Sequence, residues 1–138
     1  IAMVAQVSKL VNSKTGAVTI KVDKIFAAID CGVVVNPDAV TAQIQGGIAM
    51  GMGAAMWQQA TFTAGKPNVT NFDKYRVVKI SDMPSVSVQI VSSTASPGGV
   101  GEPGVPCVAP AIANAWAKLT GTRLRNLPFY PGSTMGEL

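Results

Sequence analysis

Alternating hydrophobic and polar residues at the start of the chain predict a β-hairpin. Residues 3–11 have the composition of a strand, residues 12–16 (Asn-Ser-Lys-Thr-Gly) provide a turn, and residues 17–30 predict a returning strand. From position 18 to 23, a Val or Ile alternates with a polar residue, which is typical of a sheet with one face exposed to water.

The next element is a helix whose start is marked by three consecutive residues. Asn36 is suited to the N-cap, Pro37 to the first helical position, and the Asp38 carboxylate to the positive end of the helix dipole. We expect this helix to run from Pro37 to about Gln59.

Glycines and amides make this helix unusual. The glycines are Gly46, Gly47, Gly51 and Gly53. Each costs about 1 kcal/mol relative to Ala in a helix interior. Gly47 and Gly51 share a face, so another backbone or a flat ligand can approach there, and ordinary packing on a sheet is the alternative. Gln43 and Gln45 lie among apolar residues, and we expect their amides to be buried against a polar partner such as a cofactor.

Shorter elements are predicted in the middle of the chain. Residues 60–62 and 69–80 suggest extended pieces around a turn at Gly65, and residues 86–91 suggest another strand. Residues 93–106 are rich in Gly and Pro and predict a loop.

A second helix is predicted near the end of the chain. It covers residues 108–120 with Trp116 and Leu119 packing inward, and Gly121 terminates it. Residues 124–129 suggest a final short strand. The pattern as a whole predicts an α+β fold with a mixed or antiparallel sheet and two main helices.

Composition changes this picture in one respect. The 138 residues suit one domain, but only 13% are charged and 48% are hydrophobic, against roughly 25% charged in an ordinary soluble domain. We therefore expect the chain to be a piece of a longer polypeptide that hides much of its surface. The net charge of +4 is spread along the sequence without a basic run, which argues against nucleic-acid binding.

Several kinds of site are excluded by residue content. The chain has no histidine, so it contains no Ser-His-Asp or Cys-His site and no histidine-ligated metal. Its two cysteines, Cys31 and Cys107, form no CxxC pair; two small buried thiols are favoured over a disulfide, which stays open. The longest apolar stretch, residues 44–57, is too short to span a membrane.

Glu102 is the residue that most needs an explanation. It lies in the sequence Gly-Gly-Val-Gly-Glu-Pro-Gly, and between Lys79 and Lys118 the only other charged residue is Asp82. A lone acid among Gly, Pro and Val suggests a carboxylate close to a ligand or to a buried backbone. The alternative is a turn residue that happens to be acidic.

Six short motifs occur in an order that resembles one protein family. They are Asp30-Cys31-Gly32, Asn36-Pro37-Asp38, Gln43-Ile44-Gln45-Gly46-Gly47, Asn71-Phe72-Asp73-Lys74-Tyr75, Gly99-Val100-Gly101-Glu102-Pro103 and Leu127-Pro128-Phe129. Together they resemble the C-terminal part of the large, molybdopterin-binding subunit of molybdenum hydroxylases, the xanthine oxidase and aldehyde oxidase family. The sequence Val-Ala-Pro-Ala-Ile-Ala-Asn-Ala at 108–115 is most similar to the isoquinoline 1-oxidoreductase beta-subunit and membrane-associated aldehyde dehydrogenase branch.

The resemblance implies a chemistry for Glu102. It implies hydroxylation of an aldehyde or an aromatic N-heterocycle, a small-molecule substrate, with oxygen derived from water. Glu102 matches the family glutamate that acts as general base. The cofactor would be molybdopterin, often with a cytosine dinucleotide extension, and its dithiolene rather than a protein side chain would ligate the metal.

The resemblance also implies cofactor contacts. These are Gln43, Gly46, Gly47, Gly99, Val100 and Gly101. Gln43 matches a glutamine that hydrogen-bonds the cofactor, the helix glycines would let α-helical backbone approach it, and the loop residues would offer backbone N–H groups beside the metal. Residues 71–75 would lie near a substrate channel or a subunit contact.

The implied partners lie outside the chain. Residues 1–138 would be a C-terminal fragment of a molybdopterin-binding domain, partnered by the remainder of the large subunit and by a subunit that carries iron–sulfur clusters. The chain alone would be inactive. The branch resemblance implies a periplasmic or membrane-associated location, with the cytoplasm as the alternative and no direct membrane span.

Two other classes of function stay open from the residues alone. A non-catalytic structural domain that binds a partner through an apolar face explains the composition but not the isolated Glu102. A nucleotide- or phosphate-binding module is less favoured, because the chain has neither GxGxxG after a strand nor a P-loop with its Lys and Ser/Thr.

Overall fold

A three-stranded sheet and two helices make up the fold. The computed structural model describes residues 1–130. Its elements in chain order are β1 (Ala2–Val11), β2 (Val18–Ile29), α1 (Pro37–Met56), β3 (Phe62–Thr63), β4 (Lys66–Pro67), a 3₁₀ turn (Ile80–Asp82), β5 (Ser85–Ile90) and α2 (Val108–Thr120). The predicted mixed sheet with two main helices is confirmed.

The sheet combines both kinds of pairing. β1 and β2 form the predicted antiparallel hairpin, and β5 pairs in parallel with β2, giving the order β1-β2-β5. β3 and β4 form a separate two-stranded hairpin. A parallel pair needs a long crossover, and the stretch containing α1 supplies it between β2 and β5.

A bulge at Asp23 changes which residues of β2 face inward. Gln6 pairs with Lys24 and Val7 with Val22, so Asp23 has no partner on β1. Because side chains alternate along a strand, the extra residue reverses the alternation. The buried residues of β2 are Ile20, Val22, Ile25, Ala27 and Ile29.

Both helices pack against the same buried face of the sheet, α2 over β1 and α1 beside β5. The largest fully buried side chains are Ile25, Ile29, Ile44, Ile48, Met52, Met56, Ile112 and Val108. α1 therefore contributes half of these side chains and lies at the centre of the core.

The start of α1 is capped as predicted. The side-chain oxygen of Asn36 accepts a hydrogen bond from the backbone N–H of Ala39 at 3.0 Å, and Pro37 occupies the first turn. α1 ends at Met56 rather than near Gln59, because the C-cap residue Trp57 leaves the helical conformation.

Replacing Asn36 with Ala is expected to loosen the first turn of α1. Loss of an N-cap hydrogen bond costs about 1 kcal/mol, which corresponds to about fivefold faster amide hydrogen exchange if that turn opens locally. Hydrogen exchange read by mass spectrometry on the peptide covering residues 37–42 tests this. Asn36→Asp keeps an acceptor oxygen and should leave the rate near that of the parent protein.

Two local predictions are wrong. Residues 69–80 are turns and irregular chain instead of extended strand, because no neighbouring strand offers them hydrogen bonds. Leu119 is 46% exposed, whereas Trp116 is buried as expected. The break after α2 at Gly121, which has a left-handed backbone with φ of 78°, is confirmed.

The last described segment is not the predicted strand. The backbone N–H groups of Phe129 and Tyr130 donate to the carbonyls of Ala55 and Met56, so the segment closes the C-terminal end of α1. The phenol oxygen of Tyr130 accepts a hydrogen bond from the Ile20 N–H at 2.7 Å. Burial raises the pKa of the Tyr130 phenol above its usual 10.0, and the Ile20 hydrogen bond opposes that rise.

No helix in residues 1–130 has both the length and the apolar character needed to cross a bilayer. In the same part of the chain both cysteines are free thiols, with Cys31 buried and Cys107 half-buried.

Candidate functional site

The loop that carries Glu102 begins as a continuation of the sheet. After β5, the Val33 N–H donates to the Ala95 carbonyl at 3.0 Å, and the Gly98 N–H donates to the Cys31 carbonyl at 2.8 Å. These bonds extend the pairing of β2 with β5 beyond both strands. The start of the loop is therefore fixed relative to the end of β2.

A glycine turn after β2 makes room for this pairing. Gly32 has φ of 74°, and its N–H donates to the Asp30 side chain at 3.0 Å. A Cβ at Gly32 would collide with the carbonyl oxygen of Ser96. Both the left-handed backbone and the close approach of the loop therefore require glycine here.

The other end of the loop rests directly on α1. A Cβ added to Gly104 would lie 2.8 Å from the Ile44 carbonyl oxygen and 3.2 Å from the Gly47 Cα. One turn further along α1, a Cβ at Gly51 would lie 2.6 Å from the Val105 carbonyl oxygen. We call this backbone-to-backbone packing of Gly47 and Gly51 on residues 104–105 the glycine contact.

The glycine contact explains why α1 has glycine at positions 47 and 51. Another backbone approaches Gly47 and Gly51, and it belongs to the loop that carries Glu102. Gly46, by contrast, is exposed and has nothing within 4 Å of the position of a Cβ. Contact of Gly46 or Gly47 with a cofactor stays a prediction.

Gln43 and the loop meet at a shallow groove. This groove of about 230 Å³ lies beside the start of α1 and is lined by Gln43, Val100, Gly98 and Cys31 together with several Val side chains. Two of the six predicted cofactor contacts, Gln43 and Val100, therefore come together. The others and Glu102 do not line the groove, although Gly99 and Gly101 flank Val100 in the sequence.

The described chain by itself does not bury the two amides, so their burial against a cofactor or another partner stays a prediction. Gln43 and Gln45 are both exposed. Their side chains point away from the sheet because the buried positions of α1 are taken by Ile44, Gly47 and Ile48. Within residues 1–130, the amide of Gln43 has no hydrogen-bond partner.

Glu102 is likewise exposed, and nothing in residues 1–130 pairs with its carboxylate. Its backbone carbonyl accepts a hydrogen bond from the Val105 N–H at 2.9 Å, which closes a turn at the C-terminal end of the loop. The carboxylate is thus held on a fixed backbone while remaining available to a ligand.

The loop backbone offers further free donors. The N–H groups of Gly99, Val100 and Gly101 donate to no acceptor among the described residues. At both Gly99 and Gly101, the space where a Cβ would lie is open. Free amide donors beside an open surface suit oxygen-rich ligands such as phosphates.

Sequence reasoning missed the role of Gly104. The spacing of Gly47 and Gly51 indicated a close approach, but no pattern along the chain identified the approaching partner. The available signal was the glycine after Pro103, which a loop resting against a helix requires.

A family model of the molybdopterin cofactor-binding domain matches residues 2–84, more than half of the chain. The chain belongs to that family, the molybdopterin-binding domain found in oxidoreductases of the xanthine oxidase type.

Individual relatives agree with this assignment. The chain is 36% identical over 113 residues to the isoquinoline 1-oxidoreductase subunit beta of Brevundimonas diminuta, covering 82% of this chain and 14% of that protein. It is 36% identical over 135 residues to the membrane-bound aldehyde dehydrogenase (pyrroloquinoline-quinone) of Gluconacetobacter polyoxogenes, covering 98% of this chain and 17% of the relative.

A solved structure shares the fold. Quinoline 2-oxidoreductase from Pseudomonas putida 86 superimposes with a TM-score of 0.72 at 24% identity, over 86% of this chain and 16% of that one. The chain therefore spans about one sixth of the length of these proteins.

Proposed function

We propose that residues 1–138 are the C-terminal fragment of a molybdopterin-binding domain in the large subunit of a molybdenum hydroxylase, and that Glu102 is its general base. The observation that carries the proposal is the placement of an exposed, unpaired Glu102 on a loop fixed at both ends. At one end, the Gly98 N–H is hydrogen-bonded to Cys31, just after β2, and the other end rests on α1 through the glycine contact.

The residues of the loop and of α1 would have separate roles in holding the cofactor. When bound, the molybdenum–pterin cofactor would supply the redox centre that takes up electrons from the substrate. The Gln43 amide and the N–H groups of Gly99, Val100 and Gly101 would hydrogen-bond the cofactor. Gly46 and Gly47 would let α1 lie close to it.

Glu102 would accept a proton from the water that supplies the oxygen. A carboxylate suits this step because it is an acceptor when ionised, and it needs only hydrogen-bond reach to the water. Among the described residues, no cation forms an ion pair with the Glu102 carboxylate.

The wider features of the enzyme belong to the same proposal and are supported by the family membership. The substrate would be an aldehyde or an aromatic N-heterocycle, and the cofactor would be molybdopterin, either in its plain form or with a cytosine dinucleotide extension. Electrons would leave through iron–sulfur clusters on a partner subunit. The enzyme would reside in the periplasm or at the membrane, with the cytoplasm as the alternative, and residues 1–138 alone would have no activity.

The first test is the metal content of the native complex that contains this chain. We expect about one molybdenum per copy, measured by elemental mass spectrometry of the complex purified from its source. If a complex able to carry the cofactor has none, a structural interaction domain is the better account. In that case the exposed apolar side chains of this chain, such as Val35, which is 93% exposed, would form a partner-binding surface.

A second prediction concerns the cofactor contact of Gln43. Gln43→Ala is expected to weaken cofactor binding by about 10- to 100-fold, because a hydrogen bond to a charged group contributes about 1.5–3 kcal/mol. Molybdenum retained after dialysis of the intact enzyme against a chelator measures this. Gln6→Ala removes an exposed amide from β1 and is the matched control; equal retention in both variants would contradict the contact.

A further inference from the structure

A second cavity lies at the other end of β2 and α1 from the groove beside Gln43. It has a volume of about 280 Å³ and opens between the β1–β2 hairpin and the C-terminal end of α1. Its apolar walls include Ile20, Val22, Met52 and Met56, and its polar wall is formed by Trp57 and Arg76. None of these residues takes part in the proposed chemistry.

Arg76 is an unusual residue to find in this wall. It is only 8% exposed, and its guanidinium stacks on the Trp57 ring at 4.4 Å from the ring centroid. One terminal nitrogen of Arg76 contacts both carboxylate oxygens of Asp82, at 3.1 and 3.0 Å. Asp82 thus compensates the buried positive charge.

Two hydrogen-bond donors in this wall nevertheless lack acceptors. Within residues 1–130, neither the Trp57 Nε1 nor the Arg76 Nε has a partner, although both atoms are buried. Trp57, like Arg76, is 8% exposed. Buried donors in native proteins are paired almost without exception, since an unpaired one pays its full desolvation penalty. The two donors therefore need an acceptor that is not among the described residues, either water or another segment of protein.

We propose that this cavity is a socket for a segment of the same large subunit that lies outside these 138 residues. The segment would place a neutral oxygen, a backbone carbonyl or a side-chain amide, against Trp57 and Arg76, and an apolar side chain against Met52 and Met56. This inference rests on the proposed function, because it takes the chain to be part of a longer large subunit.

Charge favours that occupant over a free anionic ligand. The cavity of about 280 Å³ has room for one or two side chains. Because Asp82 already neutralises Arg76, the acceptor needs no full negative charge.

The rim of the socket is also suited to packing against protein. Ile80 precedes the cavity-lining residues Ser81 and Asp82, and it is 95% exposed. A large apolar side chain in full contact with water beside a cavity is typical of a surface that another segment covers. The relatives have ample chain for this, since the matched region makes up only 14% and 17% of their length.

Site-specific photocrosslinking in the intact large subunit tests the socket. A diazirine amino acid is placed at Met83, which lines the cavity, and the crosslinked peptides are identified by mass spectrometry after irradiation. We expect crosslinks to a peptide of the large subunit outside residues 1–138. Crosslinks confined to residues 1–138, solvent adducts alone, or crosslinks to a different subunit would each overturn the proposal.

A paired substitution tests the hydrogen bond. Trp57→Phe removes the indole donor and keeps an aromatic ring beneath Arg76, and hydrogen exchange of the crosslinked peptide is expected to rise about tenfold or more. Trp116→Phe is the matched control, since Trp116 is buried but has no unpaired buried nitrogen. An unchanged exchange rate in Trp57→Phe would mean that water, not the segment, satisfies the indole.

Molybdenum content of the same preparation separates the two proposals. A molybdenum-free protein that still gives the expected crosslink would sink the proposed function and leave the socket standing. A molybdenum-loaded protein without the crosslink would overturn the socket and leave the proposed function standing.

Discussion

Replacing Glu102 with Gln in the intact enzyme is expected to lower kcat by about 10²- to 10⁴-fold, the contribution typical of a positioned general base. Gln has nearly the same shape and can still form hydrogen bonds, but it cannot take up a proton at neutral pH. The exposed position of Glu102, outside the core and without partners in residues 1–130, means that the substitution should leave folding intact.

Steady-state kinetics with molybdenum quantified in each sample measures this effect. KM should change much less than kcat, because the base acts in the reaction rather than in substrate binding. Asp23→Asn is the matched control, since it neutralises a carboxylate in the middle of β2 whose nearest cation, Lys21, is 3.7 Å away. Near-normal turnover of a molybdenum-loaded Glu102→Gln enzyme would refute the assignment.

Replacing Gly104 with Ala is expected to have the second largest effect. The new methyl group would lie 2.8 Å from the carbonyl oxygen of Ile44, a residue with no exposed surface, so neither side can yield easily. Overpacking of this kind costs about 1–3 kcal/mol. If the loop moves away from α1 to relieve it, a displacement of about 1 Å at Glu102 costs up to about 10²-fold in rate.

Activity and thermal unfolding of the intact enzyme should both be measured for Gly104→Ala. Met50→Ala serves as the stability control, because Met50 is also on α1 but is 71% exposed and is not part of the proposed site, so unfolding should stay near that of the parent enzyme. A Gly104→Ala enzyme with parent-like unfolding and turnover would show that the glycine contact does not position the loop.

The parts of the fold that were predictable are those governed by neighbouring residues. Asn36 and Pro37 specify the start of α1, Gly121 the end of α2, and residues 12–16 the hairpin turn. In each case a cap or a turn forms hydrogen bonds within a few positions of the residue that causes it, so local sequence is sufficient information.

The wrong predictions all depended on contacts that the sequence does not reveal. Residues 69–80 have strand-like composition but no strand beside them. Residues 124–129 lead into backbone hydrogen bonds with the last turn of α1 instead of joining the sheet. The alternation of residues in β2 correctly predicted which side chains face the core as far as Val22. The bulge at Asp23 then reverses that alternation, and no residue in the sequence marks the change.

The candidate site was predicted in its parts but not in its assembly. The lone carboxylate drew attention to Glu102, and the helix glycines indicated a close approach. Only the folded chain shows that the approaching backbone follows Glu102 directly at residues 104–105. Gln43 was expected to be buried because its neighbours are apolar, yet periodicity cannot show whether a helix face is covered by the same chain or by another segment.

The two fixed ends of the loop have a consequence for how this region tolerates change. Gly98 is tied to Cys31 and Gly104 rests on Ile44, so five residues, 99–103, must bridge two immovable points. A substitution at 99 or 101 alters one side chain, but an insertion or deletion would shift Glu102 along the bridge or break one anchor. The length of this segment is therefore more tightly constrained than the identity of its residues. Searches for distant relatives should penalise gaps between the two glycines more heavily than mismatches.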